Sequence, residues 1–170
     1  LGCFFHITSV IYILLGPILF KKWKKRVVFF VFLVGNVVYL FKIEYLKKIL
    51  PFVGELLPGT LGSMILGYLQ NEIFSRGLNS RFTIGFLERT FSFCLIFTYS
   101  DKLNKIYNNN CYVNCFYIYI FLYLFCSEII IIVERLTNLF VMSYWILYPQ
   151  ILTFLSKEKK KLFYFIFLSA

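Results

Sequence analysis

The 170-residue sequence predicts an all-α fold, a polytopic transmembrane helical bundle of about five spans plus a truncated sixth, forming one integral-membrane domain over 1–170. Three observations predict it. Apolar residues make up 60% of the chain and aromatic residues 22%, with a mean hydropathy of +0.77. About half apolar is the usual upper range for a soluble domain, which lacks the interior to hide more. The charges are also grouped, as KKWKKR at 21–26 and KEKKK at 157–161, with apolar runs between them. Those runs lack the period-two alternation of a membrane barrel, so helices are left to satisfy the backbone polar groups in hydrocarbon.

The spans read as 2–20, 27–43, 83–100, 112–133 and 136–155, with 162 onward as a stub. The nine residues 162–170 fall well short of the ~20 needed to cross ~30 Å of hydrocarbon. The first run has no basic leader and no small-residue cleavage site, so it is not a signal peptide. Opening on Leu1 and ending in a stub, the sequence reads as a fragment, the C-terminal half of a longer protein.

Orientation follows from lysine and arginine. The loop at 21–26 has five, the loop at 101–110 two and the loop at 157–161 four. Two spans separate each of these loops from the next, so the three share a side, the cytoplasmic one. The long loop 44–82 then faces outward. Its apolar middle, 49–69, is interrupted by Pro51, Pro58 and four glycines, with Glu55 inside. Interfacial or re-entrant helices fit that pattern better than a straight span. The alternative, a full span there, inverts the later topology.

Charge inside the spans is the strongest functional signal. In FLYLFCSEIIIIVERLTNLF, residues 121–140, an acid and then an acid–base pair interrupt an apolar stretch. Glu128 and Glu88 each lie five residues inside the outward end of their spans, about 7.5 Å deep at ~1.5 Å per residue. His6 falls at a comparable level, and Glu134-Arg135 closes the same side. His6, Glu88, Arg89, Glu128, Glu134 and Arg135 therefore form one expected outer layer. Glu128 and Arg135, seven apart on a continuous helix, share a face to within ~20°. Ionisable groups in spans face a bundle interior or a wet cavity and mark functional sites. The alternative is that Glu88-Arg89 and Glu134-Arg135 are ion pairs and interface anchors, and His6 an interhelical hydrogen bond. Tyr144, Trp145 and Tyr148 read as packing groups whose faces also suit sugar stacking, and Pro149 as a kink.

Several chemistries are excluded. Asp101 is the single aspartate, so no D-x-D pair holds a metal and a nucleotide sugar. No glycine-rich phosphate loop and no G-x-S-x-G occurs. Five cysteines with one histidine and no second C-x3-C pair assemble no zinc set. No metal and no cofactor is expected. The net charge of +10 sits in juxtamembrane clusters, which points to membrane lipids and not to nucleic acid.

Three segments, CFFHITSVIYI (3–13), TIGFLERTFSFCLIF (83–97) and VERLTNLF (133–140), resemble the EpsG-like branch of the Wzy-type bacterial polysaccharide polymerases. The resemblance rests on Phe5-His6-Ile7-Thr8-Ser9, on Ile84-Gly85-Phe86-Leu87-Glu88-Arg89 and on Glu134-Arg135-Leu136, in family order and spacing; the family's N-terminal part is absent. It implies a fold similar to the lipid-dependent (GT-C-like) glycosyltransferases. It also implies an activity: joining undecaprenyl-diphosphate-linked oligosaccharide repeat units at the outer face of the bacterial cytoplasmic membrane, into capsule, exopolysaccharide or O-antigen. A chain-length regulator and a repeat-unit flippase are the expected protein partners. The outer layer suits that chemistry. Arg89 and Arg135 would hold the departing diphosphate in bidentate fashion, and Arg76 and Arg81 would guide the anionic substrate. Glu88, Glu128, Glu134 and His6 are candidates for the base that accepts the acceptor hydroxyl proton. A flippase or other transporter using the same arginines, a membrane O-acyltransferase and a structural membrane subunit are the rival readings.

Overall fold

The computed structural model describes residues 15–56, 59, 62–63, 66–67, 82–156 and 160. His6, Arg76, Arg81, most of the expected first span and the stub from 162 lie outside them. All regular structure among the described residues is helical: α1 (Lys25–Leu40), α2 (Leu46–Leu56), α3 (Ile84–Tyr107), α4 (Asn110–Phe125), α5 (Ile130–Asn138) and α6 (Met142–Phe154).

The centre of the fold is α4, which packs against α1, α3, α5 and α6. Its sequence, NCYVNCFYIYIFLYLF, is apolar or aromatic all round, as a helix surrounded by others has to be. Val113, Phe116, Tyr117, Tyr119, Ile120, Tyr123 and Leu124 are all buried. Facing it, α1 buries Val28, Phe32, Gly35 and Tyr39, one stripe at steps of three and four. A Cβ on Gly35 would come within 3.1 Å of Leu124 and Phe125 side-chain atoms, so the glycine sets how close α1 and α4 approach. Phe32 and Phe93 stack at 3.7 Å between centroids, which ties α3 to α1.

The helices alternate in direction, and their ends differ in chemistry. At one end the start of α1 meets the last turns of α3, where Lys22 and Lys25 reach Asp101 at 3.4 and 2.8 Å. Asn114, near the start of α4, donates to the carbonyls of Leu19 and Lys21, both at 2.7 Å. Asn109 bonds Gln150, and Tyr107 bonds Thr153, bringing the C-terminal half of α6 to the same end. The basic stretches at 21–26 and 101–110 therefore do share an end, with the end of α6 beside them. At the opposite end Tyr39 stacks on Phe86 at 4.9 Å, and its hydroxyl pairs with that of Tyr123 at 2.8 Å.

The structure differs from the expected span 112–133. That segment is broken at Cys126–Ile129 into α4 and α5, although the run through 129–132 looks continuous in sequence. The reason is Glu128, only 3% exposed, whose carboxylate caps a helix remote in sequence. It accepts from the N–H groups of Tyr45 (2.8 Å), Leu46 (3.0 Å) and Lys47 (3.1 Å), the orphan donors at the start of α2. The Tyr45 hydroxyl in turn donates to the Phe125 carbonyl at 2.8 Å, one of the acceptors orphaned where α4 stops. Burial, with Cys126 and Glu128 nearby, pushes the Tyr45 pKa up to about 12, so this donor keeps its proton. Glu128 and Arg135 consequently lie on separate segments and do not share a face of one helix.

No helix among the described residues is long and apolar enough to cross a membrane. At ~1.5 Å per residue the 16 residues of α1 or α4 rise about 24 Å. The 24-residue α3 is long enough, but it carries Glu88, Arg89, Asp101, Lys102 and Lys105.

Two outcomes follow. Glu128→Ala strips the start of α2 of its carboxylate, a loss of at least ~2 kcal/mol for charge-assisted bonds of this kind. Limited proteolysis should cut first within 44–56, with the α3–α4–α6 bundle resisting. At the other end, the hydrogen bond from Lys25 holds the Asp101 carboxyl below the usual aspartate range. A depressed folded-state value means that the bridge contributes above the ordinary aspartate pKa of ~3.9 and fades as pH falls through the folded value. The side chain is 57% exposed, so solvent screening limits the contribution to at most ~1 kcal/mol. Melting curves of Asp101→Asn and wild type should differ slightly at pH 7 and converge in acid.

Candidate functional site

The site is organised by the first three turns of α3. The Thr83 hydroxyl accepts from the Phe86 N–H at 3.1 Å, a side-chain cap that fixes where the helix begins. Residues four apart then sit one above another, pairing Gly85 with Arg89 and Glu88 with Ser92.

Arg89 is half-buried and is held by groups without formal charge. Its Nη1 donates to the Gly85 carbonyl at 2.9 Å and its Nε to the Tyr119 hydroxyl at 3.0 Å. The guanidinium carbon lies 4.2 Å from the Tyr123 ring centroid and 5.9 Å from that of Tyr119, within cation–π range. Among the described residues no carboxylate lies within ion-pair distance of it. The cation is therefore fixed in place without being neutralised by any described carboxylate.

Glu88 turns the other way, toward α6. Its Oε1 accepts from the Tyr148 hydroxyl at 3.2 Å and from Ser92 Oγ at 2.9 Å. Ser92 Oγ also pairs with the Tyr148 hydroxyl and lies 2.7 Å from the Glu88 carbonyl. Glu88 also lines a cleft of about 480 Å3 with Tyr119, Tyr144, Trp145, Tyr148, Pro149 and others. Tyr119 belongs to both arrangements, since its hydroxyl holds Arg89 and its ring walls the cleft.

Gly85 has a steric role here. A Cβ at this position would lie 2.7 Å from Arg89 Nη1, closer than real contacts allow. The missing side chain is the space that the guanidinium occupies.

A family model covers residues 1–170 of this chain. The chain belongs to the EpsG family. No curated protein and no solved structure matches it. The EpsG family acts in polysaccharide biosynthesis, is associated with glycosyltransferase-like polymerase activity and is generally membrane-associated.

Within this EpsG chain the described sequence-predicted residues separate into three groups. Glu88 and Arg89 do come to one place, but not as an ion pair; each has its own tyrosine partners on different helices. Glu128 is committed to the start of α2. Glu134 and Arg135 lie on α5 and are exposed, while His6, Arg76 and Arg81 fall outside the described residues. Among the described residues no group of three histidine, cysteine, aspartate or glutamate side chains is placed to hold a metal. Sequence reasoning missed Gly85, Ser92, Tyr119 and Tyr123 as members of the site. The spacing of four between Gly85 and Arg89, and between Glu88 and Ser92, is the signal that could have found the first two.

Gly85→Ala is the direct test of the arginine's position. A Cβ in a helical turn normally stabilises by up to ~1 kcal/mol relative to glycine. The expected result is a melting temperature unchanged or raised, together with at least a tenfold fall in polymer made by cells carrying the variant. Normal polymer output would show that the seat of Arg89 does not matter.

Proposed function

We propose that this EpsG chain belongs to a membrane glycosyltransferase of the bacterial cytoplasmic membrane, which polymerises undecaprenyl-diphosphate-linked repeat units at its outer face. The observation that carries the reading is the pairing on adjacent residues of an un-neutralised arginine and a hydrogen-bonded carboxylate that borders a cleft. In such a transfer the bond between the donor's anomeric carbon and the diphosphate oxygen breaks. A bond to the acceptor hydroxyl oxygen forms, and that hydroxyl's proton passes to a base. The lipid diphosphate departs with the electron pair of the broken bond, and Arg89 meets the growing charge. Glu88, fixed by Ser92 and Tyr148, takes the proton. Glu134 and Arg135 on α5, with His6, Arg76 and Arg81, are proposed to complete the approach to this pair. Glu128 has a positioning role, holding α2 against the break after α4.

Support for a membrane setting comes from the outside of the bundle. Phe30, Leu33, Val34 and Val37 of α1 and Ile84 and Leu87 of α3 are all exposed. An apolar exterior of that extent suits lipid. On α2, Ile49, Phe52 and Leu56 are exposed at steps of three and four, beside Lys47 and Lys48. This pattern fits a helix lying in the outer interface within the loop 44–82.

The test is lengthening of purified lipid-linked repeat units by the detergent-solubilised protein, read as a ladder. Arg89→Ala should cut the rate by ~10²–10³-fold, the usual effect of removing one group that stabilises developing negative charge. Arg89→Lys should restore only part, because a point charge lacks the guanidinium fork. Glu88→Gln should cost ~10²-fold or more, and Arg135→Ala should abolish long polymer while leaving membrane insertion intact. A protein that moves the lipid-linked units across vesicles without changing their length is a transporter, and that result would overturn the reading.

A further inference from the structure

We infer that the cleft between α3, α4 and α6 is a subsite for the uncharged saccharide of the acceptor, separate from the diphosphate position at Arg89. This rests on the polymerase reading and adds where the second substrate lies and which chemistry selects it.

The cleft, at about 480 Å3, is within the ~300–1,000 Å3 of small-ligand sites. Its walls are rings held in fixed attitudes: Tyr119 and Tyr144 meet edge-to-face at 5.1 Å, and Tyr144 and Tyr148 at 5.0 Å. Two polar side chains on its lining, Glu88 and Tyr148, are bonded to each other at 3.2 Å. At the rim the Trp145 indole is 74% exposed.

This combination discriminates between ligands. An acyl or prenyl tail would fill the space but offers nothing to Glu88 or to the Tyr148 hydroxyl. A phosphate would be repelled by Glu88, with no cation among the described residues of the cleft wall to offset it. A neutral sugar ring matches both halves of the surface. Its C–H face lies against indole and phenol rings, and its hydroxyls bond to the Glu88 carboxylate and to the Tyr148 oxygen. Such a ring places a hydroxyl beside Glu88, while Tyr119 forms the shared wall toward Arg89.

Trp145 is also the reporter. The chain has two tryptophans, and Trp23→Phe, at the basic end of the bundle, leaves Trp145 alone. Two probes are titrated into the detergent-solubilised variant: neutral oligosaccharide released by hydrolysis from the host's own polymer, and undecaprenyl phosphate carrying no sugar. The expected result is a saturable fluorescence change with the oligosaccharide, weakened at least fivefold by Tyr148→Phe, and none with undecaprenyl phosphate. Arg89→Ala should retain the sugar response while losing polymer. In steady-state assays Trp145→Ala should raise the acceptor KM about tenfold and leave kcat within about twofold. An equal response to undecaprenyl phosphate, or none to the oligosaccharide from a protein that still lengthens chains, overturns the subsite and leaves the polymerase reading intact. A sugar response from a wild-type protein that lengthens nothing overturns the polymerase reading, and with it the acceptor role, leaving a saccharide site alone.

Discussion

The interaction on which this arrangement depends is the bond from Arg89 to the Tyr119 hydroxyl. A half-buried guanidinium in an aromatic bundle has to be held, because desolvating it without partners is costly. A carboxylate would hold it most firmly and would also cancel its charge. Here the partners are a phenol oxygen, a backbone carbonyl and the face of a second tyrosine ring. Each is electron-rich and none is formally anionic. The arginine is therefore oriented without an ion pair to any described carboxylate. Had the adjacent Glu88 turned toward it, the pair would have been an internal salt bridge with little left to offer.

Both tyrosines come from α4, which is why that helix has to end where it does. Tyr119 and Tyr123 sit in its last two turns, and the chain leaves the helix at Cys126. Ending a helix inside a packed bundle exposes carbonyls, and starting another nearby exposes N–H groups. Tyr45 and Glu128 answer both needs at once, the hydroxyl on Phe125 and the carboxylate on the first donors of α2. The break is thus stabilised by a segment more than 80 residues earlier, and it fixes the tyrosine-bearing end of α4 against α1 and α3.

That long-range exchange also explains what the sequence could and could not reveal. The helical class and the gathering of the basic stretches at one end are legible because they follow from composition and charge spacing, which are local quantities. The pairing of Glu88 and Arg89 with one region is legible for the same reason. The break at 126–129 is not, because Ile129 to Val133 is as suitable for a span as any stretch in the chain. What decides is where the Glu128 carboxylate finds donors, and Tyr45 to Lys47 give no sign in their own sequence of needing an acid. Tyr119 and Tyr123 escaped for a different reason. In a bundle this aromatic, a tyrosine counted by hydropathy is indistinguishable from its neighbours, and its hydroxyl matters only once a charged side chain is beside it. Gly85 was visible as part of a motif, but its purpose required knowing where the tip of Arg89 goes.

The position of Glu88 and Arg89 as consecutive residues has a further consequence. Neighbours on an α-helix point about 100° apart, so α3 directs an acid toward α6 and a base toward α4 from a single level. A carrier moving one lipid-linked sugar needs one continuous path lined for that molecule. A transfer between two such molecules needs two lobes, one that draws an anion and one that tolerates a neutral hydroxyl beside a carboxylate, close enough for the reacting atoms to meet. The two sides of α3 have those opposite preferences, and Tyr119 is the thin wall between them. On the proposed polymerase reading, the attacking hydroxyl would lie on the α6 side and the departing diphosphate on the α4 side.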